Sequence, residues 1–188
     1  MKRLLQELLP IVACAALALP AGAQRRAAAV PHAGAKHEFG VDVGLAFVDP
    51  DPGNSRIRLG TPLDVRVGFV SRGRLMWEPR LLLSYDSEGF GNGAIYVFSP
   101  GVAGLYSMTP GGHRQGWYVT GGAGVNFVDV SGGNGGATFS IGGGVGTRRA
   151  YGDGAIRAEA GFRYDTKDSG AVPGQFSIGV RFGISLWH

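Results

Sequence analysis

Residues 176–188 read FSIGVRFGISLWH, and every second residue from Phe176 to Leu186 is apolar: Phe176, Ile178, Val180, Phe182, Ile184, Leu186. Between them stand Ser177, Gly179, Arg181, Gly183, Ser185 and Trp187. A side-chain period of two belongs to a β-strand with two unlike faces. The same period recurs from residue 37 onward, so it constrains the whole fold. It predicts strands over about 38–48, 62–70, 75–86, 94–107, 117–128, 138–149 and 154–165, with an eighth from about 175. No helical period intervenes.

The connectors alternate in length. Those at 49–61, 87–93, 129–137 and 166–174 are long or rich in Gly, Asp, Asn and Ser, whereas SRGR (71–74) and AYGD (150–153) are tight. MTPGGHRQG (108–116) is long for its side. Eight strands in a meander predict an all-β, eight-stranded antiparallel up-and-down barrel. Composition agrees. The 34 glycines follow no G-X-Y period, which excludes collagen. Apolar residues make up 44%, too many for a wholly disordered chain.

Residues 1–23 read as a cleaved signal peptide: Lys2 and Arg3, an apolar run from Leu8 to Leu19, then Ala21-Gly22-Ala23. Pro10 and Pro20 argue against a buried helix. Ile11-Val12-Ala13-Cys14 offers a competing lipoprotein box, but the apolar run continues past Cys14. Residues 24–36 read as a flexible leader, and 37–188 as the barrel. Without Cys14 the chain has no cysteine, so disulfides and thiolate metal sites drop out. Removal of the signal deletes two basic residues and one acidic one, taking the formal charge from +4 to +3. That is too mild to imply nucleic acid.

Alternation alone does not say which face is wet. A soluble barrel buries its apolar face; a membrane barrel turns it to lipid and keeps a polar interior. Three features favour lipid. First, the aromatics sort to the strand ends. One rim would hold Phe39, Phe69, Trp77, Tyr106, Trp117 and Trp187, the other Phe47, Tyr85, Tyr96, Phe98, Phe127, Phe139, Tyr164 and Phe176. Amphipathic rings prefer the headgroup level, whereas a soluble core would not sort them to the ends.

Second, the polar face mixes acids (Glu38, Asp42, Asp64, Glu78, Glu159, Asp165) with arginines (Arg66, Arg80, Arg157, Arg163, Arg181). In a narrow tube these predict buried ion pairs, because an unpaired buried charge is costly. The plain alternative is a solvated face whose pairs are worth little. Third, the export signal accompanies a lack of cysteine and helices. Arg181 is expected to meet Asp42 and Glu159 of the adjoining strands. Pro79 and Pro100, inside strands, predict a bulge or kink.

This meander, with its alternating connectors, aromatic ends and closing FSIGVRFGISLWH, resembles the small outer-membrane β-barrels, OmpA- and OmpX-like, over residues 37–188. The resemblance implies a bacterial outer-membrane location, both termini and the tight turns in the periplasm, and long loops at the cell surface. It also implies contact with membrane lipid and recognition of the last strand by the barrel-assembly machinery. That strand departs from the usual closing Phe by ending Leu186-Trp187-His188. A monomer is expected, and the ligand of the loops is unknown.

Catalysis finds little support. A lipid-modifying barrel enzyme needs Ser, His and an acid together near the outer lipid face, but His32, His37, His113 and His188 fall elsewhere on this topology. No His-based metal site, G-x-G-x-x-G or P-loop is present, so no catalytic residue, metal or cofactor is expected. Asp49-Pro50-Asp51 reads as a turn. An eight-stranded interior is just wide enough for side chains to fill. The favoured reading is therefore a structural or surface-interaction barrel plugged by arginine–carboxylate pairs. The alternatives are a small low-conductance porin, a lipid-modifying barrel enzyme and a secreted soluble lipocalin-like binder.

Overall fold

The computed structural model describes residues 37–51, 56–71, 73–86, 95–109, 112–130, 135–167 and 174–188. Residues 1–36, where the signal peptide and leader are expected, lie outside the described residues, as do 52–55, 72, 87–94, 110–111, 131–134 and 168–173. Eight strands follow in chain order: β1 His37–Asp51, β2 Arg56–Val70, β3 Leu75–Asp86, β4 Ile95–Ser107, β5 Gly116–Val130, β6 Gly136–Tyr151, β7 Gly154–Asp165 and β8 Gly174–Trp187. Each pairs antiparallel with its sequence neighbours, and β8 returns to β1 to close the barrel.

Closure runs unbroken from Glu38 opposite Trp187 to Asp51 opposite Gly174. Beyond it, His37 N–H donates to His188 O at 3.0 Å and His188 N–H to His37 O at 2.9 Å. His188 thus extends the seam by one backbone pair. A closed ladder leaves no strand edge unpaired.

Strands β1, β2, β5 and β6 run further toward the long connectors than the alternation predicts. Pro50 reads as part of a turn and Pro62 as the head of the second strand, but both stand inside strands. Pro50 pairs with Gln175. Near Pro62 the register shifts, from Asp42 opposite Asp64 to Gly44 opposite Gly60. Three residues of β2, Thr61–Leu63, therefore face Val43 alone, a bulge that carries the proline out of the ladder.

The bulge expected at Pro79 and Pro100 is absent. Pairing of β3 with β4 runs unbroken, with Pro79 opposite Val102 and Pro100 opposite Leu81. On their other sides the ladders lapse, between Arg66–Arg80 and Phe69–Trp77 and between Phe98–Phe127 and Gly101–Gly124, with register kept. A missing N–H costs one local bond, and the bonds on either side hold the strands in step.

The tight turns carry glycines with positive φ, Gly73 at 70° and Gly152 at 55°, a backbone that glycine adopts without a Cβ penalty. Alternation then sorts the faces. Phe39, Phe69, Trp77, Phe98, Phe162, Ile178 and Ile184 face outward and are exposed, while Glu38, Asp42, Arg66, Glu78, Arg157 and Glu159 are buried within. Burial is inverted relative to a soluble domain.

Candidate functional site

The site is the lumen, and its centre is an ionic lock. Arg66 Nε donates to Asp42 Oδ2 at 2.9 Å, and its Nη1 donates to Glu38. Glu78 of β3 accepts from Arg80 at 2.7 Å, from Arg148 of β6 at 2.5 Å and from Arg157 of β7 at 3.0 Å. Arg157 also donates to Glu159 at 2.5 Å, as does the Tyr118 hydroxyl at 2.9 Å. Arg181 bridges Glu159 and Asp64, the latter at 3.2 Å.

Five carboxylates (Glu38, Asp42, Asp64, Glu78, Glu159) thus meet five guanidiniums (Arg66, Arg80, Arg148, Arg157, Arg181), a formal balance of zero. Balance is what makes such burial tolerable, because each ion removed from water needs a partner. Arginine suits the role through its planar fork of donors.

Glycines make room for the charges. A Cβ built on Gly40 would lie 2.4 Å from Arg66 Cζ, and one on Gly183 only 1.6 Å from Asp42 Oδ1. The Asp42 side chain therefore lies over Gly183. This corrects the expected partner of Arg181: it reaches Glu159 and Asp64, while Asp42 binds Arg66. The residue beside Arg181 on β1 is Gly44. It has no side chain, so the guanidinium passes across it to β2.

Toward the tight turns the lumen is closed by packing. Met76, Leu105, Tyr118, Ala155 and Trp187 form a buried cluster. Arg148 Cζ lies 5.1 Å from the Tyr118 ring centroid and 5.7 Å from that of Trp187, cation–π range. Trp187, expected on the outer rim, is only 5% exposed and faces inward. It keeps phase with lumen-facing Arg181 and Ser185, and that parity decides its side. The 108–116 connector is strapped beneath the cluster: His113 O accepts from Arg148 at 2.9 Å, His113 Nε2 meets Gly73 O at 2.9 Å, and Arg114 donates to Gly152 O at 2.5 Å.

Toward the long connectors a second polar group forms. Asn126 Nδ2 donates to Thr138 Oγ1 and Asp165 Oδ1, both at 3.0 Å. Arg163 Nε donates to Asp165 at 2.7 Å and Gln175 to the same carboxylate at 2.7 Å. Between this group and the lock the inner wall carries Gly101, Gly122, Gly124 and Gly142, and a cavity of about 100 Å³ remains.

All eleven charged residues singled out in the sequence face the lumen. Arg148, Asn126 and Tyr118 join them. Arg148 is in phase with the inward residues of β6, so its parity was the signal. Phe39, Phe47, Phe69, Trp77, Tyr96, Tyr106, Trp117, Phe127, Tyr164 and Phe176 are all exposed on the outside. The side chain of Tyr85 lies outside the described residues. Among the described residues no group of three or more His, Cys, Asp or Glu is arranged to hold a metal.

Neither a protein-family model nor a curated protein sequence matches the chain. Solved structures do. Neisserial surface protein A (NspA) superposes with a TM-score of 0.60 at 19% identity, covering 82% of this chain and 99% of that one. The outer-membrane protein Ail of Yersinia pestis, determined in a phospholipid bilayer nanodisc, superposes with a TM-score of 0.50 at 10% identity, covering 80% and 99%. At these identities the likeness is one of fold. The resemblance read from the sequence holds at that level: the chain has the closed eight-stranded architecture of the small outer-membrane β-barrels.

Proposed function

We propose that this chain is an integral protein of a bacterial outer membrane, monomeric and without enzymatic activity, that presents its long connectors at the cell surface. Inverted burial carries the reading: a charged, paired interior inside an apolar, aromatic exterior. Such an exterior is stable against acyl chains and costly against water. Fold neighbours named as a surface protein and as an outer-membrane protein support it.

On this reading residues 1–23 are an export signal and 24–36 a leader. The aromatics at the two ends form headgroup-level girdles, and the β8 strand serves the barrel-assembly machinery. The surface role resides in the connectors at 49–61, 87–93, 129–137 and 166–174. The lumen is structural rather than a pore, since the lock and the cluster beneath it occupy its section. Catalysis finds no constellation among the described residues. His113 approaches Ser107 Oγ at 3.5 Å, but its other ring nitrogen sits on the Gly73 backbone carbonyl rather than on an acid.

Fractionation with a heat-modifiability gel tests location: the protein should enter the outer-membrane fraction and migrate differently before and after boiling. Recovery from the soluble periplasm without a shift defeats the reading. Planar-bilayer recordings test the lumen. Large stable conductance would favour the porin alternative.

A further inference from the structure

The outer face of the barrel carries charges of opposite sign at its two rims. At the turn side, the outward residues of β5 and β6 include Trp117, Thr147, Arg149 and Tyr151. Trp117 pairs with Thr147, and Arg149 stands at the next outward position toward the turns, opposite Ile156. Trp117 is 58% and Tyr151 75% exposed, and Arg149 is exposed with them. At the long-connector side the equivalent positions hold acids. Asp49 follows outward Phe47 on β1 and Asp129 follows outward Phe127 on β5, and both acids are exposed.

Every guanidinium of the lock rests on a carboxylate, but Arg149 has no hydrogen bond or ion pair among the described residues. Its outward neighbours Thr147 and Ile156 are not acidic. Arg74 and Arg114 of the same rim donate to the backbone carbonyls of Met108 and Gly152, which leaves their charge uncancelled. Among the described side chains there, only Asp153 is a carboxylate. Depth matters as well. Two residues of strand span roughly 6.6 Å, so at a barrel tilt of about 40° Arg149 lies roughly 5 Å beyond Trp117. A lipid-facing tryptophan marks the headgroup level, which puts this guanidinium among the phosphates.

We propose that the turn-side rim docks anionic phospholipid by its headgroup, with Arg149 as the anchoring cation between the amphipathic rings of Trp117 and Tyr151. The proposal rests on the membrane placement given above. A guanidinium fork matches two phosphate oxygens at once. A zwitterionic headgroup offers the same phosphate but brings its own ammonium, which a rim of uncancelled positive charge disfavours. A headgroup of net negative charge is therefore preferred. The acids Asp49 and Asp129 repel that lipid at the other rim, so the preference belongs to the turn-side leaflet alone.

The test folds the whole protein into phosphatidylcholine vesicles that contain a minority of either phosphatidylglycerol or phosphatidylcholine brominated high on the acyl chains. Bromine quenches a tryptophan it touches. In a Trp77→Phe background Trp117 is the lipid-facing tryptophan, because Trp187 is buried in the lumen; should that background not fold, the wild-type chain gives the same ranking at smaller amplitude. Brominated phosphatidylglycerol should quench as though enriched about fivefold beside Trp117 at low salt, and the enrichment should fall as salt screens it. Arg149→Gln, an exposed change, should leave folding intact and bring the two lipids toward equal quenching. Insertion with equal quenching by the two lipids, or a preference that survives Arg149→Gln, would overturn the proposal while leaving the membrane reading in place. Failure to insert, with no quenching by either lipid, would overturn both.

Discussion

The two halves of the lumen use the same strands and the same alternation, yet they are built oppositely. Toward the tight turns, Glu38, Glu78, Arg66, Arg148 and Arg157 interlock above Tyr118, Leu105, Met76 and Trp187, with little solvent contact. Toward the long connectors, the inner face carries Gly101, Gly122, Gly124, Gly142 and Ser140 around open space. The difference teaches that barrel closure determines where inward side chains point, while residue size along the inner face determines whether the tube is solid or hollow. Large ions crossing the axis bind β1, β2, β3, β6 and β7 to one another. Glycines leave neighbouring strands joined by backbone alone.

The sharpest way to break the dense half is at its hub. Glu78→Gln leaves Arg80, Arg148 and Arg157 without their shared carboxylate, and should destabilise the barrel by about 3–5 kcal/mol, read as a fall in the denaturant midpoint. Gly183→Ala drives a methyl into Asp42 and should cost about 1–3 kcal/mol by overpacking, read the same way. In the hollow half, Arg163→Gln removes a third-exposed ion pair and should cost about 1 kcal/mol or less. Gly121→Ala is the control: a Cβ there meets nothing closer than 3.9 Å, so the midpoint should move by less than about 0.5 kcal/mol. If Arg163→Gln proved as damaging as Glu78→Gln, the contrast between the halves would fail.

The sharing of Glu78 also shows where sequence reasoning stops. Its partners Arg148 and Arg157 lie 70 and 79 residues away and on strands that are not its neighbours. Adjacent-strand logic supplied Asp42 and Glu159 as the partners of Arg181; Glu159 is one, and Asp64 stands in place of Asp42. A long guanidinium in a narrow tube reaches past the next strand, particularly where that strand shows a glycine. Parity, by contrast, was reliable even where composition misled. Trp187 reads as a rim aromatic by type and as a lumen residue by phase, and phase wins because the β8 ladder is continuous to its last pair.

Proline makes the same division. Pro62, Pro79 and Pro100 all lack the donor a ladder needs, and nothing local distinguishes them. Only at Pro62 does the register shift; at the other two the flanking pairs hold the strands in step. Which proline becomes a bulge depends on the summed pairing of both neighbouring strands.

The sequence by itself determined the strands, their number, their two faces and the inward phase of every lumen charge, since alternation is a property of each strand alone. Tertiary structure alone decided which acid meets which arginine, that Trp187 and the 108–116 connector close the turn-side end, and that a cavity remains above the lock. Those outcomes depend on barrel radius and strand stagger, which are set by all eight strands closing together.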